Sequence, residues 1–202
     1  MRRVQESVAV KYAVPGERLP VQGKWTYDDY ARLPDDGRRY EVIRGELYMS
    51  GAPRPLHQRV ITRLAFFLEG YLQESNLGTA FVAPIDVILP DRLGDPVQPD
   101  IVVIRRESLP VVGELNIQGA PDLVMEVLSP SNPSHDLRLK YEIYAEAGVP
   151  EYWIIDPRER TAEIHVLRDG SYKLLGRFGE DEIASSELLA GFAVLVNEII
   201  PA

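Results

Sequence analysis

Residues 121–156 read PDLVMEVLSPSNPSHDLRLKYEIYAEAGVPEYWIID, and this stretch decides the expected fold. Its two ends, residues 121–128 and 151–155, are short apolar runs that follow a proline, which is typical of buried strands. Residues 134–147, between them, have the length and the capping residues of a helix. A helix that crosses between two strands of one sheet makes those strands parallel neighbours.

The pattern continues towards the N-terminus. Residues 56–72 place apolar side chains on one helical face, and Thr79–Leu89 is rich in β-branched and aromatic residues with a break at Pro84. Residues 99–104 form a further apolar run. The order helix, three strands, helix, strand predicts an α/β domain with a mixed sheet flanked by helices. Additional β-hairpins are predicted at 39–43 with 46–49 and at 161–167 with 171–175.

The chain has 202 residues, of which 45% are hydrophobic and 26% charged, so its composition is that of one ordinary globular domain. We expect residues 1–24 to form a poorly ordered N-terminal arm and residues 25–202 to form the single domain. Thr26 is expected to cap a short helix that runs through Leu33. The C-terminal tail is expected to be a short helix followed by a last apolar segment.

Composition and motifs exclude several classes of protein. The chain has no cysteine, so disulfides, thiolate zinc sites and thiol nucleophiles are absent. A net charge of −9 argues against a passive nucleic-acid coat protein. No stretch approaches the length of a membrane helix, and we expect a soluble cytoplasmic protein. Kinase, esterase and zincin motifs are also missing from the sequence.

Three acids interrupt segments that otherwise look buried: Glu41, Asp100 and Glu126. A buried carboxylate is costly unless it is paired, and three of them in one sheet are explained if they converge on a cation. Carboxylate oxygens without cysteine suit a hard ion such as Mg²⁺ or Mn²⁺. The alternative is that each acid lies at a strand end, where it is solvated or paired with an arginine.

A few polar residues are candidates to support these acids. Asp136, Lys140 and Tyr144 are spaced four apart and share one helix face, from which Lys140 would orient or deprotonate a water. The alternative for Lys140 is a surface pair with Asp136 worth about a few tenths of a kcal/mol. His57 and Gln98 are further candidates to line the site, against the alternative that they are ordinary core or surface residues.

Four stretches together carry a resemblance to a known family. They are 39–47 (RYEVIRGEL), 98–103 (QPDIVV), 121–131 (PDLVMEVLSPS) and 148–157 (GVPEYWIIDP). This set is similar to the Uma2 family of restriction endonucleases. The combination of Pro99-Asp100 on one strand with Glu126 on the next resembles the PD-(D/E)XK nuclease superfamily. The likeness covers residues 25–195.

The resemblance implies a restriction-endonuclease-like fold and hydrolysis of DNA phosphodiester bonds with Mg²⁺ or Mn²⁺. It implies that Asp100 and Glu126 bind the metal and that Glu41 is an additional acid and metal ligand. The superfamily pattern has lysine two residues after the glutamate, where this chain has Leu128. The resemblance suggests that Lys140 on the following helix takes over that catalytic role.

Two alternatives to a DNA endonuclease stay open from the sequence. One is a nuclease fold that has lost catalysis and serves binding or assembly, and the other is metal-dependent hydrolysis of RNA or of a nucleotide. For DNA as partner, Arg54, Arg59 and Arg63 are candidates to contact the backbone, although a solvated helix face also explains them. By analogy with other nucleases, the apolar strands after residue 160 would suit a homodimer.

Overall fold

The computed structural model describes residues 2–3, 19–34, 36–128 and 134–201. Most of the expected N-terminal arm lies outside the described residues, as does the Ser-Pro-Ser of the third family stretch. Within the described ranges, no helix combines the length and the apolar character that a bilayer crossing requires. The extent of the single domain, residues 25–202, stays a prediction.

The chain alternates strands and helices. The strands are β1 (Arg2–Arg3), β2 (Arg39–Ile43), β3 (Glu46–Ser50), β4 (Gly78–Val82), β5 (Val87–Ile88), β6 (Ile101–Arg105), β7 (Ile117–Gln118), β8 (Leu123–Val127), β9 (Glu151–Asp156), β10 (Thr161–Arg168), β11 (Ser171–Phe178), β12 (Ile183–Ser185) and β13 (Ala193–Leu195). The helices are α1 (Tyr27–Tyr30), α2 (Pro55–Ser75), α3 (Ser134–Glu146) and α4 (Val196–Ile199), with 3₁₀ turns at Pro90–Arg92 and Arg106–Val111.

A six-stranded mixed sheet in the order β11-β10-β9-β8-β6-β4 forms the centre of the fold. Strands β8 and β9, which flank α3, run parallel, and the other neighbours in this sheet are antiparallel. The predicted mixed sheet flanked by helices is therefore confirmed, including the parallel pair around the crossover helix. Only this pair needs a long connection, because antiparallel strands can be joined by short turns.

The two faces of the sheet carry two separate hydrophobic cores. On β6, Ile101 and Val103 belong to the core that packs against α2, whereas Val102 and Ile104 belong to the core that contains Ile143 of α3. This alternation follows from the two-residue period of a strand. Each such side chain contributes roughly 1.5–3 kcal/mol when it is fully buried, so both helices are firmly held. Even-numbered side chains of β6 and β8 consequently point towards α3.

The predicted hairpin of β2 and β3 belongs to a separate three-stranded sheet with β1. Arg44 and Gly45 join its strands and have φ angles of 51° and 74°, as a tight hairpin turn requires. A Cβ at Gly45 would lie 2.7 Å from the Gly23 carbonyl oxygen, so only glycine fits here. The hairpin is fixed beside the main sheet because the Val42 N–H donates to the Pro96 carbonyl at 2.8 Å.

Helix α1 begins as the sequence predicts but is shorter. The Thr26 hydroxyl accepts from the Asp29 N–H, and the Asp29 carboxylate accepts from the Thr26 N–H, which is a complete capping box. The helix ends at Tyr30 and not at Leu33. The short helix places Tyr30 above the loop that precedes β6.

Two further expectations need adjustment. Thr79–Leu89 is broken at Pro84 as predicted, and its second part, β5, leaves the main sheet to pair with β7. The C-terminal expectation of a helix followed by an apolar segment is wrong, because β12 and β13 form an antiparallel pair before α4. Strands of three residues contain too few alternations for sequence periodicity to identify them.

Candidate active site

Asp100 and Glu126 lie side by side at one end of the main sheet. Strands β6 and β8 pair with Ile101 opposite Met125, so the next position outward sets Asp100 opposite Glu126 on the same face. The Val127 N–H donates to Asp100 Oδ2 at 2.9 Å and fixes the aspartate against β8. Both carboxylates are buried, with 4% and 5% of their surface exposed. The structure therefore brings together the two acids that the sequence singles out.

Helix α3 brings Lys140 and Tyr144 to this acid pair. Lys140 Nζ lies 2.9 Å from Glu126 Oε1, and the Tyr144 hydroxyl donates to the same oxygen at 2.8 Å. The spacing of four residues puts both donors on one helix face. Because α3 covers the face of the sheet on which Glu126 lies, the Lys140 ammonium and the Tyr144 hydroxyl both contact this glutamate.

Glu41 reaches the site from the separate hairpin. Its Oε1 accepts from Lys140 Nζ at 3.0 Å and from the Gln98 N–H at 2.7 Å. Gln98 immediately precedes the Pro99-Asp100 pair. All four residues that the sequence assigns to catalysis are thus connected, with Lys140 bridging Glu41 and Glu126.

His57 and Arg39 hold Asp100 from the other side. His57, in the first turn of α2, places Nε2 3.1 Å from Asp100 Oδ2, while its buried Nδ1 has no hydrogen-bond partner among the described residues. Arg39 places Nη1 3.5 Å from Asp100 Oδ1 and donates from Nη2 to the Gln98 carbonyl at 2.8 Å. Asp100 is thereby held by two basic side chains.

Comparison with known proteins identifies the family. The family model of Uma2, described as "Putative restriction endonuclease", matches residues 27–197. The chain belongs to the Uma2 family. A similar solved structure is described as a putative nuclease belonging to DUF820 from Anabaena variabilis. It is 19% identical and has a TM-score of 0.73, and the match covers 87% of this chain and 97% of that one, which shows the nuclease-like fold. No curated protein matches the chain.

This Uma2 chain contains site residues that sequence reasoning misses. Gln98 Nε2 donates to Asp86 Oδ1 at 2.8 Å and to the Tyr30 hydroxyl at 3.0 Å, and Tyr30 donates to the same aspartate oxygen at 3.0 Å. Arg39 Nε donates to Gln98 Oε1 at 3.3 Å. Arg39 has a sequence signal, because it lies two residues before Glu41 on one strand face. Asp86 and Tyr30 have none.

The arginines in α2 and at its N-cap divide into two groups. Arg54 and Arg59 are exposed near the helix end that carries His57. Arg63 donates from Nη1 to the Glu198 carbonyl at 2.6 Å and so ties α2 to α4. Only Arg54 and Arg59 remain candidates to contact a substrate backbone.

The charges of the site are unevenly balanced. Burial, against the opposing effect of Lys140 and with the added effect of the Asp100 and Glu41 carboxylates, raises the pKa of Glu126 to about 7. Burial would lower the pKa of Lys140, but Glu126 and Glu41 outweigh it and hold that pKa above its ordinary value. Burial would raise the pKa of Asp100, but His57 and Arg39 outweigh it and lower that pKa. Lys140 is therefore an ammonium at neutral pH.

The donor set of Asp100 and Glu126 fits a hard dication. With Glu126 ionised, Glu41, Asp100 and Glu126 exceed the charges of Lys140 and Arg39 by one negative charge, and His57 is a further basic contact of Asp100. Among the residues that the structure describes, no three His, Asp or Glu side chains form a closed metal cage. Mg²⁺ commonly uses only one or two carboxylates, with water and substrate oxygens completing its shell. A pair of carboxylates that leaves coordination positions for water and substrate is consistent with this coordination of Mg²⁺.

Proposed function

We propose that this Uma2 protein is a metal-dependent nuclease that hydrolyses DNA phosphodiester bonds, with Asp100 and Glu126 holding Mg²⁺ or Mn²⁺. One observation carries the proposal: two buried carboxylates on adjacent strands share their site with the ammonium of Lys140. A bound dication would lower the pKa of a coordinated water and stabilise the charge that develops on the phosphorane.

Lys140 supplies a permanent positive charge in this proposal. Its raised pKa keeps it protonated, so it donates hydrogen bonds and does not accept the proton of the attacking water. An ammonium beside Glu126 would orient that water or bind a nonbridging phosphate oxygen. Of the two roles that the sequence leaves open, orientation and deprotonation, the electrostatics of the site favour orientation.

The remaining side chains prepare the two acids. The lowered pKa of Asp100, caused by His57 and Arg39, keeps this carboxylate ionised and ready to bind a cation. Tyr144 holds one oxygen of Glu126 by its hydroxyl and fixes the direction of that carboxylate. These contacts correspond to the supporting shell that orients metal ligands in many proteins.

Lys140 also accounts for the departure from the superfamily motif. Leu128, at the position of the motif lysine, belongs to the apolar contacts around α3. Lys140 approaches Glu126 from the helix and puts an ammonium beside the same carboxylate. The missing motif lysine therefore does not by itself favour a fold that has lost catalysis.

DNA is the proposed substrate because the family description names a restriction endonuclease. The net charge of −9 means that substrate binding depends on local features, of which exposed Arg54 and Arg59 flank the helix end at the site. RNA and single nucleotides would undergo the same metal chemistry, so the assay compares an RNA substrate directly with DNA.

A nicking assay tests the proposal. Supercoiled plasmid is incubated with Mg²⁺, with Mn²⁺ or with EDTA, and an RNA of matched length is run in parallel. We expect metal-dependent nicking that Asp100→Asn and Glu126→Gln each reduce at least about 100-fold. Glu142→Gln, which neutralises a partly exposed glutamate of α3 that pairs with Arg138, is the control and is expected to retain activity.

Three outcomes would contradict the proposal in different ways. Cleavage that survives both Asp100→Asn and Glu126→Gln would place the chemistry elsewhere. Absence of cleavage under all metal conditions would favour the noncatalytic module. Cleavage of RNA at a much higher rate than of DNA would retain the metal chemistry and change the substrate.

A further inference from the structure

We propose that Glu41 is a positioning residue for Lys140 and not a metal ligand, so that Asp100 and Glu126 alone hold a single dication. The inference rests on the proposed function, in which these acids serve a metal. It separates Glu41 from the ligand set to which the family resemblance assigns it.

The sheet topology separates the three acids into a pair and a third member. Asp100, immediately before β6, and Glu126, on the adjacent strand β8, lie opposite one another in the six-stranded sheet. Glu41 stands on β2 of the separate three-stranded sheet, and its carboxylate contacts Lys140 and the Gln98 N–H. Lys140 therefore lies between Glu41 and the acid pair.

The hydrogen bonds of Glu41 are those of an anchor. A backbone N–H, that of Gln98, donates to Oε1 at 2.7 Å and fixes the oxygen to the loop before β6. The same oxygen lies 3.0 Å from Lys140 Nζ. Lysine has four rotatable side-chain bonds, and one carboxylate partner would leave its ammonium free to swing. A second, fixed carboxylate confines Nζ between the two glutamates.

The charge balance favours one dication. With Glu126 ionised, as a metal ligand would be, the three carboxylates exceed Lys140 and Arg39 by one negative charge, and His57 adds a further basic contact to Asp100. One dication and one phosphodiester group would bring the carboxylates, Lys140 and Arg39 to neutrality, whereas a second dication would leave this set positive.

Mn²⁺ binding to the full chain tests the assignment without reference to catalysis. Titration followed by electron paramagnetic resonance is expected to give one Mn²⁺ per wild-type chain. Asp100→Asn and Glu126→Gln should each weaken binding at least about tenfold. Glu41→Gln and the control Glu142→Gln should change the dissociation constant less than about threefold, within the range of indirect effects.

The outcomes separate the two proposals. If Glu41→Gln weakens Mn²⁺ binding as much as Asp100→Asn does, Glu41 is a ligand and the inference is overturned while the nuclease proposal stands. Two Mn²⁺ ions per wild-type chain would also overturn the inference alone. A wild-type chain that binds no Mn²⁺ would overturn both.

A second measurement examines the lysine directly and needs no metal. The chain has four lysines, so a slowly exchanging ammonium signal in ¹⁵N nuclear magnetic resonance is readily assigned through Lys140→Met. We expect this signal in wild type and in Asp100→Asn, and its loss in Glu41→Gln. Persistence of an unchanged signal in Glu41→Gln would show that Glu41 does not position the lysine.

Kinetics complete the test and provide a conservative variant. Glu41→Gln should lower kcat at least about tenfold with KM nearly unchanged, because the ammonium is displaced while the metal pair is intact. If Glu41→Gln does not fold, as judged by near-ultraviolet circular dichroism, Glu41→Asp keeps the charge and shortens the side chain. Glu41→Asp should then keep Mn²⁺ affinity and lower kcat, and weakened Mn²⁺ binding would overturn the inference.

Discussion

Two buried glutamates on neighbouring strands, Glu126 on β8 and Glu151 on β9, are held in opposite ways. Glu151 is fully buried and accepts from the Trp153 indole at 2.6 Å and from the N–H groups of Glu187 and Leu188 at 2.9 and 2.8 Å. These are neutral donors. Glu126 instead contacts the cation Lys140 and lies among other acids.

This difference distinguishes a carboxylate that stabilises the fold from one that is suited to bind a cation. The donors to Glu151 belong to the protein's own fold and fasten the loop that follows β12 to the main sheet. Burial and neighbouring acids raise the pKa of Glu126 to about 7, so its charge is still incompletely compensated. A buried carboxylate whose oxygens accept hydrogen bonds from neutral donors stabilises a fold. A buried carboxylate whose negative charge is incompletely compensated is suited to bind a cation.

Removing the cation beside Glu126 should have the largest effect. Lys140→Met keeps the length of the side chain and removes its charge, and we expect nicking activity to fall on the order of 100- to 1000-fold. Leu128 lies two residues from Glu126 on the same strand face, so Leu128→Lys in the Lys140→Met background should restore part of the activity. Plasmid nicking at saturating Mn²⁺ measures both. Unchanged activity in Lys140→Met would remove the lysine from the mechanism.

Removing the structural glutamate should have the largest effect on stability. Glu151→Ala leaves one indole and two backbone donors unpaired in the interior, which costs about 2–4 kcal/mol of unfolding free energy. Urea unfolding monitored by tryptophan fluorescence measures this loss. Glu126→Gln, at the other site, should change stability by less than about 1 kcal/mol near pH 7, because it also relieves the repulsion from Asp100 and Glu41. Equal losses of unfolding free energy in Glu151→Ala and Glu126→Gln would contradict the distinction between the two glutamates.

The sequence predicts only part of the difference between these glutamates. Glu126 interrupts an apolar run and Glu151 begins one, and both runs are predicted to be buried strands. Regular periodicity predicts the strands of the main sheet and the parallel pair around the crossover helix. The roles of Asp100, Glu126 and Lys140 rest in addition on the family resemblance, because periodicity does not fix the strand order and register that set Asp100 opposite Glu126.

The sequence does not reveal the contacts made by irregular segments. Gln98 joins Asp86 and Tyr30, whose positions are 12 and 68 residues away, through loops that no periodic pattern describes. The amides that satisfy Glu151 also come from a loop, 36 and 37 residues further along the chain. Side chains held by loop backbone need the three-dimensional path of the chain to be recognised.

The pH dependence of stability should distinguish Glu126 by a smaller amount. Its pKa of about 7 lies above the value of about 4.5 expected in the unfolded chain, so its contribution is most favourable below pH 4.5 and is lost as the pH rises through 7. The free energy of unfolding of wild type minus that of Glu126→Gln should therefore fall by on the order of 2 kcal/mol between pH 5 and pH 8 in EDTA. A difference that stays constant with pH would show that Glu126 is fully compensated in the folded chain.

The smallest expected effect concerns two tyrosines whose hydroxyl groups donate to different kinds of acceptor. The Tyr144 hydroxyl donates to the charged Glu126 carboxylate at 2.8 Å, whereas the Tyr172 hydroxyl donates to the neutral Val149 carbonyl at 2.9 Å. Either substitution by phenylalanine should cost about 1 kcal/mol, since each removes one buried hydrogen bond. Only Tyr144→Phe should also raise the pKa of Glu126, because a hydrogen bond to the charged form is lost, and so shift the pH-dependent loss of stability to higher pH. Urea unfolding of both variants across pH 5–8 measures this, and the same pH profile in both would mean that the acceptor's charge makes no difference.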